Sequence, residues 1–198
     1  MDAVLMRWES LFDDLEGQLE QELDAEELDL RAEEERLRIG RMTLRDRLVA
    51  AAVSGVLRLG LQGGSALELR LTAYGRDWLA GESVGELSRH GPVLVPIAAI
   101  AALALDPGQV EQRVAAAPAS APPPLADRLG IAFVLRTVCR RRTAVELELT
   151  DGRLHGTIDR VGRDHLDLAV HEVGVQRRHD AVRQLRVVPF GQLVLVRI

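Results

Sequence analysis

Clustered cations are the first residues of this 198-residue chain that carry a chemistry. Arg140-Arg141-Arg142 offers positive charge to phosphate, because a nucleic-acid backbone rewards grouped cations. The competing reading is that these cations complement the dipole at a helix C-terminus. Arg177-Arg178 and Arg183 extend the patch only if folding brings them beside it. His155, His165, His171 and His179 invite a metal. Their spacings are irregular, however, with no His-x-x-His, Cys-x-x-Cys or His-Glu-x-x-His pattern, so scattered surface histidines are the simpler reading. On an alternating strand His165 and His171 would share a face. Trp78 and Tyr74 flank a Gly-Arg-Asp turn and offer rings for base stacking. Aromatics make up only 3% of the chain, so Trp78 is expected in a core or between domains. The single cysteine, Cys139, excludes an intrachain disulfide. There is no nucleophile elbow, phosphate-cradling glycine loop or dinucleotide fingerprint. No enzyme activity, metal or cofactor is expected.

These residues sit in a chain that says the same thing twice. Leu44-Arg45-Asp46-Arg47-Leu48 returns as Leu125-Ala126-Asp127-Arg128-Leu129. Tyr74-Gly75-Arg76-Asp77-Trp78-Leu79 returns as Val161-Gly162-Arg163-Asp164-His165-Leu166. Such similarity indicates a duplicated small domain. In the first copy, Thr43 to Asp46 starts a short helix that runs to about Val53. The period then changes to two. Leu57, Leu59 and Leu61 alternate up to a Gly63-Gly64 turn, and Leu67, Leu69 and Leu71 alternate up to Tyr74. Trp78-Leu79 opens a third strand and Val93-Leu94-Val95 forms a fourth. Pro96 starts a one-turn 3₁₀ segment, and Ile100 to Leu105 is the fifth strand. Short strands with glycine turns indicate a small antiparallel barrel.

The second copy begins with a helix from Leu125, longer than the first, ending in Arg140-Arg141-Arg142. Val145, Leu147 and Leu149 alternate up to an Asp151-Gly152 turn, a strong hairpin signal. Strands follow from Leu154 to Val161 and from Leu166 to Val170. Another is expected after the Val173-Gly174 turn, to about His179. Val182 to Val188 is read as the fifth strand, and Leu193 to Ile198 as an added one. Between the copies, residues 107–124 hold five of the eight prolines and form a stiff spacer. The organisation is thus a helix over 1–40, a barrel over 41–106, a linker over 107–124 and a barrel over 125–198.

The N-terminal helix has its own pattern. Leu5, Trp8, Phe12, Leu15 and Leu19 follow the 3-4-3-4 spacing of a coiled-coil seam or docking helix. Leu23, Leu30 and Leu37 continue at spacing seven in a shifted phase. Residues 1–38 carry 14 acids against 4 arginines, and the remainder 16 acids against 21 arginines. An acidic arm therefore precedes a basic body. Two readings of the seam stand side by side: pairing with a second copy, or packing on the protein's own barrels.

A helix followed by five strands is the plan of the Sm-like barrel, a relative of the SH3-like barrels. Leu147 to Leu149, Asp151-Gly152, Gly156, Ile158 and Asp164-His165-Leu166-Asp167-Leu168 resemble the family's Sm1 segment. Val182-Arg183-Gln184-Leu185 resembles its closing strand. In the first copy, Leu69 lies near the position of Gly156. The whole chain also resembles uncharacterised Arg- and Ala-rich proteins of high-GC Gram-positive bacteria. The resemblance implies a mainly β fold with helices: two Sm-like or SH3-like five-stranded barrels, each preceded by a helix, behind a long N-terminal α-helix. In the Sm-like family, RNA sits against the Asn of Sm1 and an Arg-Gly of the last hairpin. Here Asp167 and Ala80 lie near the Asn position, and Arg178-His179-Asp180 occupies the Arg-Gly stretch.

An Asp in that place repels phosphate. The expectation is therefore a non-enzymatic interaction and scaffolding protein. It would bind a protein partner, or itself as a homodimer, through Leu5, Trp8, Phe12, Leu15 and Leu19 and through barrel surfaces. The alternative is an RNA-binding regulator using Arg140, Arg141, Arg142, Arg177, Arg178 and Arg183. No small-molecule substrate is expected. No run reaches the ~18 apolar residues of a membrane span, and no leader pattern is present, so the cytoplasm is the expected compartment.

Overall fold

Alternation of leucine in the sequence becomes alternation of burial in the sheet. The computed structural model describes residues 23–24, 26–53, 55–85, 91–106, 128–175, 177–178 and 182–198. Strand β1 (Leu57–Leu61) buries Leu57, Leu59 and Leu61 and turns Arg58 outward. Strand β2 (Ala66–Tyr74) buries Leu67 and Leu69 in the same way. This period-two pattern is that of strands with one face on a core. Between them Gln62–Gly64 makes one 3₁₀ turn in which Gly63 and Gly64 both have φ of +83°, a conformation that glycine reaches without a Cβ clash.

The fold is mainly β, with ten antiparallel strands in one sheet whose ends do not meet. The remaining strands are β3 (Trp78–Ser83), β4 (Gly91–Pro96), β5 (Ile100–Ala104), β6 (Ala144–Leu149), β7 (Gly152–Val161), β8 (His165–Val170), β9 (Gln184–Pro189) and β10 (Leu193–Arg197). Their order is β5-β1-β2-β3-β4-β10-β6-β7-β8-β9. The first five strands and the last five therefore follow one pattern, with the fifth strand beside the first. The described helices are α1 over 26–41, α2 (Leu44–Ala52) and α3 (Ile131–Arg141). Residues Leu44–Ile198 form a unit of their own, distinct from the one containing α1.

The two halves of the sheet share their interiors. They meet where β4 pairs with β10, Leu94 opposite Val196 and Val93 opposite Arg197. Val194 and Leu195 of β10 are buried in the first half's core, with Leu48, Leu59 and Leu79. Trp78 and Leu94, from first-half strands, are buried in the second half's core, with Ile131, Leu135 and Ile158. Polar contacts reinforce this exchange. The Leu129 carbonyl accepts from the Arg76 backbone N–H at 3.1 Å and from Trp78 Nε1 at 2.9 Å. The Asp77 carboxylate accepts from the Ile131 N–H at 2.7 Å, satisfying an orphan donor at the start of α3.

That docking explains one departure from the sequence reading. Leu129 and Gly130 are not helical, and α3 begins at Ile131, so it has 11 residues against 9 in α2. Leu125 to Asp127 lie outside the described residues. A second departure concerns the C-terminal strands. No strand occurs among the described residues between Val170 and Gln184. The second half has its 3₁₀ turn at Phe190–Gln192, after Pro189. It matches Ile97–Ala99 after Pro96. Strand β9 is therefore the fourth of its half and β10 the fifth, and Val182-Arg183-Gln184-Leu185 leads into the fourth strand instead of closing the unit.

Helix α1 carries exposed ion pairs within itself: Arg31–Glu27 at 3.0 Å, Arg36–Glu33 at 3.1 Å and the part-buried Arg38–Glu35 at 2.7 Å. Each adds about 0.2–0.5 kcal/mol to a helix. Leu23, Leu30 and Leu37 are exposed. Leu5, Trp8, Phe12, Leu15 and Leu19 lie outside the described residues. Among the described residues no helix is long and apolar enough to cross a membrane.

Candidate functional site

Strand β7 turns Ile158 into the core and a polar row, His155, Thr157 and Asp159, to the other face. The spacing of two places all three on that face. Thr157 lies opposite Ala144 of β6 and Ala169 of β8. These small neighbours leave a hollow above the threonine. His171, just past the end of β8, closes over it with 4% exposure. Its Nδ1 donates to the Glu172 carbonyl at 3.0 Å, and its Nε2 and the Thr157 hydroxyl share a hydrogen bond at 2.9 Å. The His155 ring stands edge-on to His171, with centroids 5.4 Å apart.

Two arginines border the same hollow. Arg142 Nη1 donates to Asp159 Oδ1 at 3.0 Å, and Arg177 donates to Oδ1 from Nε at 2.8 Å and to Oδ2 from Nη2 at 2.5 Å. Hydrogen bonding to Asp159 raises the Arg177 pKa. The cavity between these groups has a volume of about 650 Å³ and is also bordered by Gly174 and Val175. Among the described residues no group of three or more His, Cys, Asp or Glu is placed to hold a metal ion.

Of the arginines singled out in sequence, the fold brings Arg142 and Arg177 together on one carboxylate. Arg183 pairs with Glu172. Arg140 lies back along its own helix, donating to the Arg136 carbonyl at 3.3 Å. Arg141 and Arg178 are exposed. The histidines are not all scattered on the surface as expected: His171 is buried and stands beside His155, while His165 bonds the exposed Asp164 at 2.8 Å, and His179 lies outside the described residues. Asp167 is half-buried on β8, in register with Arg160. Strands β9 and β10 are joined by Phe190–Gln192, which carries no arginine, and pair with different neighbours instead of forming a hairpin. Of Arg178-His179-Asp180 only Arg178 is among the described residues. Thr157 and Asp159 were not singled out in the sequence. Their alternation with Ile158 was the signal available.

Burial holds the His155 pKa below its ordinary 6.5, and the neighbouring His171 pushes in the same direction against Glu146. The unfolded chain therefore takes this proton more readily than the folded one, and stability rises with pH through this window. Urea midpoints measured from mildly alkaline to mildly acidic buffer are expected to fall as the pH drops through 6.5. His155→Gln is expected to flatten that part of the profile. A wild-type profile flat across the same range would contradict the assignment.

The site thus belongs to a mainly β protein with a polar cluster on the non-core face of one strand. Comparison with protein-family models, with curated proteins and with solved structures finds no match.

Proposed function

We propose that the chain is a non-enzymatic interaction and scaffolding protein, made of two Sm-like five-stranded units in tandem. It joins further copies of itself through the two open edges of its sheet. The observation that supports this reading is the contrast between matched strands. On β4, which has a neighbour on its outer side, Val93 to Pro96 are buried. On β9, its counterpart at the sheet edge, Gln184 to Val187 are exposed, Leu185 at 65% and Val187 at 67%. On β10 Leu193 to Val196 are buried, whereas on its edge counterpart β5 Ala101, Ala102 and Ala104 are exposed. The edge that β4 gives to β10 inside one chain is the edge that β9 offers to β5 of the next.

The Gly-Arg-Asp turns repeat the argument. Asp77 caps α3 at the joint, while the equivalent Asp164 side chain is 85% exposed. An open edge is a template for another strand. Joining unlike edges is heterologous, and gives a ring if the rotation closes and a filament if it does not. RNA binding ranks second, because the two arginines that the fold unites share the charge of Asp159.

Sedimentation of the full chain over a range of concentrations tests the proposal. Species larger than a monomer are expected. The double variant Leu185→Lys, Val187→Lys is expected to be monomeric with an unchanged circular dichroism spectrum. A wild type that stays monomeric would end this reading. So would an assembly that survives the lysines and dissolves only when Leu5, Trp8 and Phe12 are replaced.

A further inference from the structure

We infer that the hollow above Thr157 binds a small oxyanion, a phosphate or carboxylate group carried on a compact molecule. This departs from the sequence expectation of no small-molecule partner, and it does not depend on self-assembly. Four observations converge on it. The first is shape: Ala144 and Ala169 flank Thr157 in register, and the cavity of about 650 Å³ falls within the roughly 300–1,000 Å³ of ligand sites.

The second is charge. Arg142 and Arg177 face a single carboxylate, Asp159, which takes three of their N–H donors. A guanidinium has five donors in a fork that matches a planar or tetrahedral oxyanion. One positive charge and several aimed donors therefore remain at the rim.

The third is backbone strain. Arg142 follows the last residue of α3 with φ 53° and ψ 29°, the one non-glycine residue with positive φ among those described. Glycine is the usual choice after a helix, with asparagine next. An arginine there costs about 1–2 kcal/mol. Such strain persists where the side chain has work that its surroundings enforce. Here the left-handed turn sends the guanidinium to the hollow and not along the helix axis.

The fourth is an orphaned polar atom. His155 Nε2 is buried beside the cavity without a hydrogen-bond partner. A buried nitrogen without a partner is costly, and an anion drawn into the hollow favours the protonated imidazole. Asp159 engages both arginines in the place an anionic ligand would take. It acts as an internal competitor.

Calorimetric titration of the full-length chain with inorganic phosphate and, separately, with acetate tests the inference, with chloride at matched ionic strength as the blank. Saturable binding of one of the two is expected, and which one binds identifies the headgroup. The Arg142→Gln, Arg177→Gln variant is expected to lose binding, while Asp159→Asn is expected to bind about tenfold more tightly, a gain of about 1.4 kcal/mol. A purely structural role for Asp159 predicts no such gain. Absence of saturable heat from the wild type with both anions would overturn the inference, whether or not any variant folds. Binding unchanged in the double arginine variant, with its circular dichroism intact, would also overturn it.

Discussion

Replacing Trp78 with alanine is expected to remove about 3–5 kcal/mol of folding free energy and to leave a single unfolding transition for the whole sheet. Trp78 belongs to β3 by backbone and to the second half's core by side chain, where it packs with Leu94, Ile131 and Leu135. Truncation opens a large cavity there. It also removes the indole donor from the Leu129 carbonyl, leaving that oxygen only the Arg76 N–H. The first half reads the damage through the same strand, since Leu79 is fully buried in its own core. Urea unfolding followed by circular dichroism gives the loss, and the shape of the curve gives the coupling. Val194→Ala serves as the reciprocal experiment, because Val194 comes from the second half and lies in the first half's core. Two resolved transitions in either variant, with one left at its wild-type position, would mean that the halves fold independently.

The legible and illegible parts of this fold divide along a physical line. Local patterns were readable: leucine at period two marks β1, β2, β6 and β8, because an alternating face is a property of the strand itself. The repeated Gly-Arg-Asp was readable as a turn, and both copies close alike. The Gly75 N–H donates to the Trp78 carbonyl at 3.0 Å and the Gly162 N–H to the His165 carbonyl at 2.9 Å. In both, the aspartate carbonyl accepts from the residue that opens the following 3₁₀ turn, Ile97 or Phe190. What one copy does beyond that was not readable. Asp77 caps a helix that starts 54 residues later, and nothing near it in sequence marks that partner. The stretch after the Val173-Gly174 turn misleads for the opposite reason. A strand from there to about His179 suits the propensity of Val175, yet Val175 is exposed and no strand occurs there among the described residues. At the candidate site, His155, Thr157 and Asp159 share a face by spacing alone. Arg142, His171 and Arg177 join them only through the β6-β7-β8 register and the segment beyond β8.

Gly156→Ala and Gly81→Ala are expected to be among the most damaging single-methyl changes in the chain. A Cβ on Gly156 would lie 2.2 Å from the Ala169 carbonyl oxygen, and one on Gly81 would lie 2.1 Å from that of Arg70. Both obstacles are backbone atoms of a paired strand, so relief requires the ladder itself to move. Overpacking costs about 1–3 kcal/mol and occasionally more, and these sites belong at or above the top of that range. Gly60→Ala is the control in the same sheet. Its nearest neighbour, the Ala102 Cβ, would be 3.5 Å away, an ordinary contact, and an alanine in a strand interior regains about 0.5–1 kcal/mol over glycine. Thermal melting should therefore place Gly60→Ala near the wild type and both others far below it. Equal melting of all three would mean that the strands do not approach so closely. The pair also accounts for a gap in the duplication. Gly156 sits on the second strand of its half, whereas Gly81 sits on the third strand of the first, facing β2 across the same hairpin. Each half admits one close strand approach at this hairpin with one glycine, placed on opposite sides of the ladder. Leu69, and not a glycine, stands near the matching position of the first half, so a residue-by-residue alignment of the halves does not superpose the two glycines.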